Sequence, residues 1–409
     1  MNQALDGIKV IDVSQVAAVP MAARHLADFG AEVIHVENPK TGDSWRGFQA
    51  GLGSGGAGAP SKINYNWETY NRNKRSLAVD LSQDEGRDII YRLVEGADVF
   101  TTNLRLFERE KFKLDYDALG QLNPRLIYAG LSGYGKNGPD RNDPAYDSIA
   151  YWARSGLGYL LGVPGSAPLI DGGGIGDNVT ALSLFAGIMT SLYVREKTGM
   201  GQEVDLSLLN VGLYQLSFFI AGALTTGLDL ADWRVKSREE ALNPLTLPYE
   251  AKDGRWVLLA LLQQERYWSQ FCKAIDREDL EHDPRFEVFE VRMENCAALY
   301  HIVEDVFRER PLAEWQSRLK IAGLPFAPYQ TFVEAIADPQ ARANDMFVTI
   351  DHPTHGNLEV IANPIKLSKT PATLRMPAPE FSQHTEEVLL ENGYTWEDID
   401  RLKSKGVIA

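Results

Sequence analysis

Four glycines and one carboxylate crowd the stretch GGGIGD, residues 172–177, and a long apolar pattern begins directly after it. Two kinds of chemistry are open to that carboxylate. Asp177 can cap the helix announced by the apolar pattern, because Asp is a favoured N-cap. It can instead act as a nucleophile. Gly172, Gly173, Gly174 and Gly176 carry no side chains, so a bulky substrate can reach the acid, and their amides can face a developing oxyanion. Asp171 precedes the glycines and is not placed to start the helix. A second candidate acid is Asp147, in DPAYDSIAYWARSGLG, whose plain alternative is a turn or cap residue. Lys111 follows a strand-like segment ending at Asn103. There a basic residue suits a cofactor phosphate, or else belongs to a solvated charge cluster.

Other chemistries find little support. No GxSxG elbow occurs, which disfavours a serine hydrolase of the α/β type. The first strand-to-helix turn reads SQVAAVP and lacks the glycines that let a dinucleotide pyrophosphate approach a helix N-terminus. His352 and His355 form an HxxH in a Pro/Gly turn without an acidic third ligand at helical spacing, so no metal is expected. The two cysteines, Cys272 and Cys296, have neither redox nor metal spacing.

These candidates need elements to hold them. GIKVIDVS reads as a buried strand, VPMAARHLADFGA as a helix with Pro20 in its first turn, and EVIHVE as the next strand. That is a βαβ unit, which implies a parallel sheet with a right-handed crossover. The alternation continues through SLAVDL, DEGRDIIYRLVEGA, DVFTTN and RLIYAGLSGYG, the signature of a doubly wound α/β fold. Beyond residue 225 the texture changes, with a hairpin expected about Asp253–Gly254 and helical segments after it. The Gly/Ala/Ser-rich stretch 47–62 has no periodicity and reads as a mobile surface loop or lid.

The chain has 409 residues, 44% hydrophobic, with a formal net charge of -15. The charge argues against nucleic acid or an anionic membrane as main partner. The N-terminus lacks the basic start and apolar run of a signal peptide. The apolar stretch Val211–Leu224 is interrupted by polar residues and too short to span a bilayer. A soluble, cytoplasmic protein is expected.

Taken in order, the segments LDGIKVIDVSQVAAVPMAARHLADFGAEVIHVE, NRNKRSLAVDL, GADVFTTN, LNPRLIYAGLSGYG, AYDSIAYWARSG, GDNVTALSLFAGIMTSLYVREKTGMGQEVDLSLL, HDPRF, AGLPFAPYQT and HTEEVLLENGY resemble the class III coenzyme A transferases over nearly the whole length. The resemblance implies a large Rossmann-like domain built from both termini (1–225 and 331–409) with a smaller α+β domain (226–330) inserted, and two chains interlocked as a homodimer or as a heteromer with a paralogue. It implies that Asp177 attacks an acyl-CoA thioester, forming an acyl-aspartyl anhydride and then an aspartyl-CoA thioester. A free carboxylic acid next takes the CoA by the reverse chemistry.

Position by position, the resemblance makes Asp147 the acidic partner of the nucleophile. It assigns coenzyme A binding to Val16, Ala18, Val79, Asn103, Leu104 and Lys111, with Asn73, Lys74 and Arg75. Ala17, Tyr146, Arg154, Gly173, Gly174 and Gly176 fall on the acyl side. Formyl-type members have glutamine where Ala17 stands, arginine where Asn38 stands, and a tetraglycine lid absent from LLALLQQERYW. A larger acid is therefore expected, and a dicarboxylate such as a succinyl- or malyl-type acid if Arg154 holds a second carboxylate. Two alternatives share the fold. Acyl-CoA racemases carry histidine where Tyr146 stands, a poor base at neutral pH. A non-catalytic CoA-binding subunit would have no need of Asp177.

Overall fold

The computed structural model describes residues 3–47, 63–163, 165–169, 173–229 and 237–409. Residues 48–62 of the Gly-rich stretch, with Asp171 and Gly172, lie outside the described residues.

Six strands form one parallel sheet: β1 (Lys9–Val13), β2 (Glu32–Glu37), β3 (Arg75–Ala78), β4 (Val99–Thr102), β5 (Ile127–Ser132) and β6 (Glu203–Ser207). Their spatial order is β3-β2-β1-β4-β5-β6. The chain thus winds outward one way from β1 and the other way from β4, and the carboxyl ends of these two strands border the crevice where such sheets bind ligands. Strand residues alternate faces. Val10 and Val33 point into a core shared with the helix Ala18–Asp28 and the helix Ile175–Thr198. Ile11, Val13 and Ile34 point into a second core, which the C-terminal helices Thr385–Glu391 and Trp396–Ser404 close with Val388, Leu389, Ile399 and Leu402. Both faces are covered, as a parallel sheet requires.

The helix Ile175–Thr198 is longer than the apolar stretch noted at Val211–Leu224, and by length and composition it could cross a bilayer. Here it packs within the first core, where Ala181, Leu184, Phe185, Ile188 and Leu192 are buried.

Contacts divide the chain into two units. One comprises Met1–Gly162, Ser166–Leu228 and Ala343–Ala409, and the other Val163–Gly165 and Asp229–Arg342. The first unit also holds the hairpin β10 (Phe347–His352) and β11 (Gly356–Ile361). Within the second unit, β7 (Pro248–Glu250), β8 (Trp256–Leu259) and β9 (Phe326–Pro328) form an antiparallel sheet, the first pair turning at Asp253–Gly254. Its core is aromatic. Tyr249 stacks on Phe307 and Phe307 packs on Trp315, all three fully buried.

Candidate active site

The site grows from the strand ends at the switch point. After β1 the chain turns through Ser14–Ala17 into the helix Ala18–Asp28, whose second and third residues are Val19 and Pro20. The turn has no glycine. Val16 instead adopts φ +70°, a left-handed conformation uncommon for a β-branched residue. Asn103, one residue past β4, clamps it from the neighbouring strand: its Oδ1 accepts the Gln15 N–H at 3.0 Å and its Nδ2 donates to the Gln15 carbonyl at 2.7 Å.

The two acids come from elements far away in sequence. Asp147 opens a π-helical segment, Asp147–Ala153, and is 5% exposed. The N-cap of the long helix is Gly174 (φ +74°), with no side-chain cap, and Asp177 is the third helical residue. The capping role open to Asp177 in the sequence is therefore not the one it has. The helix receives its side-chain acceptor from elsewhere, because Asp147 Oδ2 accepts the Gly176 N–H at 3.2 Å. Asp177, half-buried, sits in the first turn, at the positive end of the helix dipole.

Glycine is needed at two of these positions for different reasons. A Cβ on Gly176 would lie 2.1 Å from Asp147 Oδ1 and 2.4 Å from the Tyr151 ring, so only glycine lets the two elements meet. Gly174 needs its positive φ, and a Cβ there would come within 3.1 Å of the Tyr70 hydroxyl and 3.9 Å of Asp177 Oδ2. Gly173 is also left-handed, at φ +92°.

One cavity of about 130 Å³ gathers these parts. Val16, Ala17 and Ala18 line it from the β1 turn, and Asn103 and Leu104 from the end of β4. Tyr146, Asp147 and Asp177 line it as well. Tyr146 is 66% exposed, whereas Ala17 is buried.

The structure also brings to this region residues that the sequence reading missed. Arg105 and Arg141 are on the cavity wall. Arg105 lies over the Phe107 ring, 4.5 Å from its centroid, and Arg141 Nη2 is 2.5 Å from Glu110 Oε1. Tyr70, from the helix Tyr65–Asn71, is buried and donates to Asn178 Oδ1 at 3.3 Å. Burial first, then the charges of Asp177 and Asp147, push its phenol far above the ordinary tyrosine range, so it stays a neutral donor. Its only sequence signal was an aromatic-rich stretch, NYNWETYN, with no catalytic spacing.

Other expected site residues are placed elsewhere. Lys74 is fully buried, its Nζ 2.9 Å from Asp12 Oδ2 and 2.8 Å from Asn71 Oδ1. Asn73, at φ +63°, donates to Asp28 and Thr373 and accepts the amides of Arg375 and Met376. Arg75 pairs with Glu32, Glu387 and Glu391. Val79 is buried and bridges to Ile408. These four lie in the body of the fold and off the cavity wall. Lys111 is exposed on the last turn of the helix Leu106–Phe112. Arg154 is bound to Asp140 at 2.5 Å and lies over the Tyr134 ring, away from the cavity wall. The two imidazoles of the HxxH pair pack against each other at a tilt of 37°, with His352 Nε2 3.4 Å from Glu68.

Known proteins match this chain over nearly its whole length. Residues 5–385 match the family described as CoA-transferase family III. The chain is 34% identical over 405 residues to the (R)-2-hydroxy-4-methylpentanoate CoA-transferase of Clostridioides difficile, covering 99% of each chain. It is 32% identical over 411 residues to the succinyl-CoA–L-malate CoA-transferase beta subunit of Chloroflexus aurantiacus, covering 99% of this chain and 98% of that one. Among solved structures, a CAIB/BAIF family protein from Brucella suis superposes with a TM-score of 0.81 at 28% identity, covering 96% of this chain and all of the other. A nearly full-length match, joined to a cavity at the switch point of a doubly wound sheet, places the chain in CoA-transferase family III.

Proposed function

We propose that Asp177 is the nucleophile of CoA transfer and that the switch-point cavity receives the thioester. The observation that carries this reading is the meeting of Asp177 and Asp147 with the ends of β1 and β4 around one cavity. A carboxylate oxygen of Asp177 adds to the thioester carbonyl. The C–S bond breaks, CoA leaves as thiolate, and an acyl-aspartyl anhydride remains. The thiolate then adds to the aspartyl carbonyl, expelling the donor acid as its carboxylate and leaving an aspartyl-CoA thioester. The acceptor carboxylate repeats the two steps in reverse, releasing a new acyl-CoA and free Asp177. No net proton is taken up, so the site needs no strong general base, and covalent catalysis divides one difficult exchange into easier ones. Asp147 sets the helix turn bearing Asp177 through the Gly176 amide. Gly173 and Gly174 leave room above the carboxylate, and the helix N-terminus favours the negative charge that develops there.

Val16, Ala18, Asn103 and Leu104 would border the CoA thiol end, with Lys111 available to a phosphate farther out. The small side chain of Ala17 leaves space for an acid larger than formate. Arg105 and Arg141, on the wall itself, are better placed than Arg154 to meet an anionic group of the acyl-CoA, and a dicarboxylic acid such as succinate as donor fits this wall. Hydroxylamine added during turnover with a panel of acyl-CoAs and free acids tests the reading. It should modify Asp177 in the wild type, and modification of another residue would overturn it.

We also propose that a second chain, identical or paralogous and interlocked with the first, covers the segments Leu208–Gln215 and Ser217–Thr226. Tyr214, Phe218 and Leu224 are each more than 75% exposed there, and large apolar side chains left in water are what a partner surface covers. A stable, active monomer in sedimentation at nanomolar concentration would contradict this.

A further inference from the structure

The part of the cavity wall that Val16 and Ala17 supply is held from inside the sheet. Val16 would leave φ +70° for the extended region if nothing opposed it. Asp43 opposes it: its two carboxylate oxygens lie 3.2 and 3.3 Å from the Val16 N–H that they accept. Asp43 is buried and is itself fixed, its amide donating to Glu37 Oε2 at 3.0 Å and its Oδ1 accepting the Trp45 amide at 2.8 Å.

Behind Asp43 stands a chain of buried charges. His35 Nε2 is 3.4 Å from Asp43 Oδ2, an ion-pair separation and not an aligned hydrogen bond. His35 Nδ1 is 2.8 Å from Asp12 Oδ2, which also accepts from Lys74 Nζ at 2.9 Å. Thr101 and Ser14 donate to the other oxygen of Asp12. Two carboxylates, an imidazolium and an ammonium balance one another where water does not reach. Burial opposes the charge on His35, but the Asp12 carboxylate outweighs it and lifts the imidazole to about 9. Such a network is costly to bury unless each charge is paired, and its outer end is the backbone of the cavity wall.

We propose that Asp43 is a positioning residue for acyl-CoA: by clamping the Val16 amide it keeps the Val16–Ala18 wall in the shape that receives the thiol end of CoA, with His35, Asp12 and Lys74 as its charge-balancing support. This rests on reading the cavity as the acyl-CoA site. It gives Lys74 a supporting part in CoA binding, since its ammonium is committed to Asp12.

The test is a double-mutant cycle on the full chain, read by calorimetric binding of free coenzyme A and by melting temperature. Asp43→Ala should weaken CoA binding at least about fivefold, because Val16 is released from the strained backbone. Glycine occupies positive φ without a steric penalty, so in a Val16→Gly background the same change should cost less than about twofold. If Asp43→Ala does not accumulate as folded protein, Asp43→Ser, too short to reach the amide, serves the same cycle. Equal losses in both backgrounds would overturn the proposal, and so would a lowered melting temperature with unchanged CoA affinity. Asp177→Ala, assayed for transfer from succinyl-CoA to a panel of acids, separates the two levels. Full transfer by that variant removes the reading of the site, whereas its inactivity together with equal Asp43 losses removes the clamp alone.

Discussion

The carboxylate of Asp147 accepts the N–H of Gly176 at 3.2 Å, one residue before Asp177. The helix bearing the proposed nucleophile is thus capped by an acid 29 residues earlier in the chain. Asp177 itself is the third helical residue and stands on the cavity wall. The cap also explains why the stretch is so poor in side chains: it arrives through space that any Cβ at 176 would fill.

Asp177→Ala is expected to lower transfer by roughly three orders of magnitude or more, as loss of a covalent nucleophile does. Asp177→Asn should behave nearly the same. The residue is half-buried in a first helical turn, so the melting temperature should change little. Steady-state rates and a thermal melt on each variant check both halves of this expectation.

Gly176→Ala is expected to destabilise the fold as well as slow the reaction. The added methyl meets the Asp147 carboxylate and the Tyr151 ring, and such overpacking costs about 1–3 kcal/mol. A denaturant titration should show the loss, together with a fall in transfer. A Gly176→Ala protein as stable and active as the wild type would mean that Asp147 and Gly176 do not meet in this way.

The imidazole of His35 carries a sign that can be worked out. Its pKa in the folded chain is raised to about 9, above the ordinary 6.5, with Asp12 overcoming burial. A group raised on folding contributes stability that is complete below the unfolded pKa and is lost as pH rises through the folded one. The stability difference between wild type and His35→Gln should therefore be largest near pH 6, shrink as pH rises above about 6.5 and be almost gone by about pH 9. Asp12, Asp43 and Lys74 are the charged groups facing the ring, and taking the difference between the two proteins suppresses titrations remote from them. Denaturant melts from pH 6 to 10 measure it.

Arg154→Gln is expected to treat mono- and dicarboxylic substrates alike, with rates within about twofold of wild type, because an exposed ion pair contributes little. The guanidinium is engaged by Asp140 and the Tyr134 ring. Arg141→Gln, on the cavity wall, is expected to raise KM for acyl-CoA while leaving KM for the free monocarboxylic acid unchanged. Competition assays with paired mono- and dicarboxylic acids read both. A selective loss of dicarboxylates in Arg154→Gln would return the second carboxylate to that residue.

Much of the fold is legible in the sequence because it is written in local periodicity. Buried strands such as Lys9–Val13 and Glu32–Glu37, separated by one amphipathic helix, commit the chain to parallel pairing with a crossover, and sterics then leave one hand. The bare glycines at 174 and 176 likewise mark a place of close approach by their lack of side chains alone. The sequence by itself determined this alternation, the position of the acids and the kinship with a family. What only the tertiary structure decided is where each charge finds its partner. Lys74 meets Asp12 across 62 positions, Gly176 meets Asp147 across 29, and Tyr70 reaches Asn178 across 108. Helical and strand patterns report neighbours within a turn or along one face. They carry no record of which carboxylate will be drawn to a buried ammonium once the sheet has assembled, and so neither the Lys74–Asp12 pair nor the Asp43 contact with the Val16 amide is legible in them. The pairing is set by the cost of leaving a charge alone away from water, a cost that exists only after folding has removed the water.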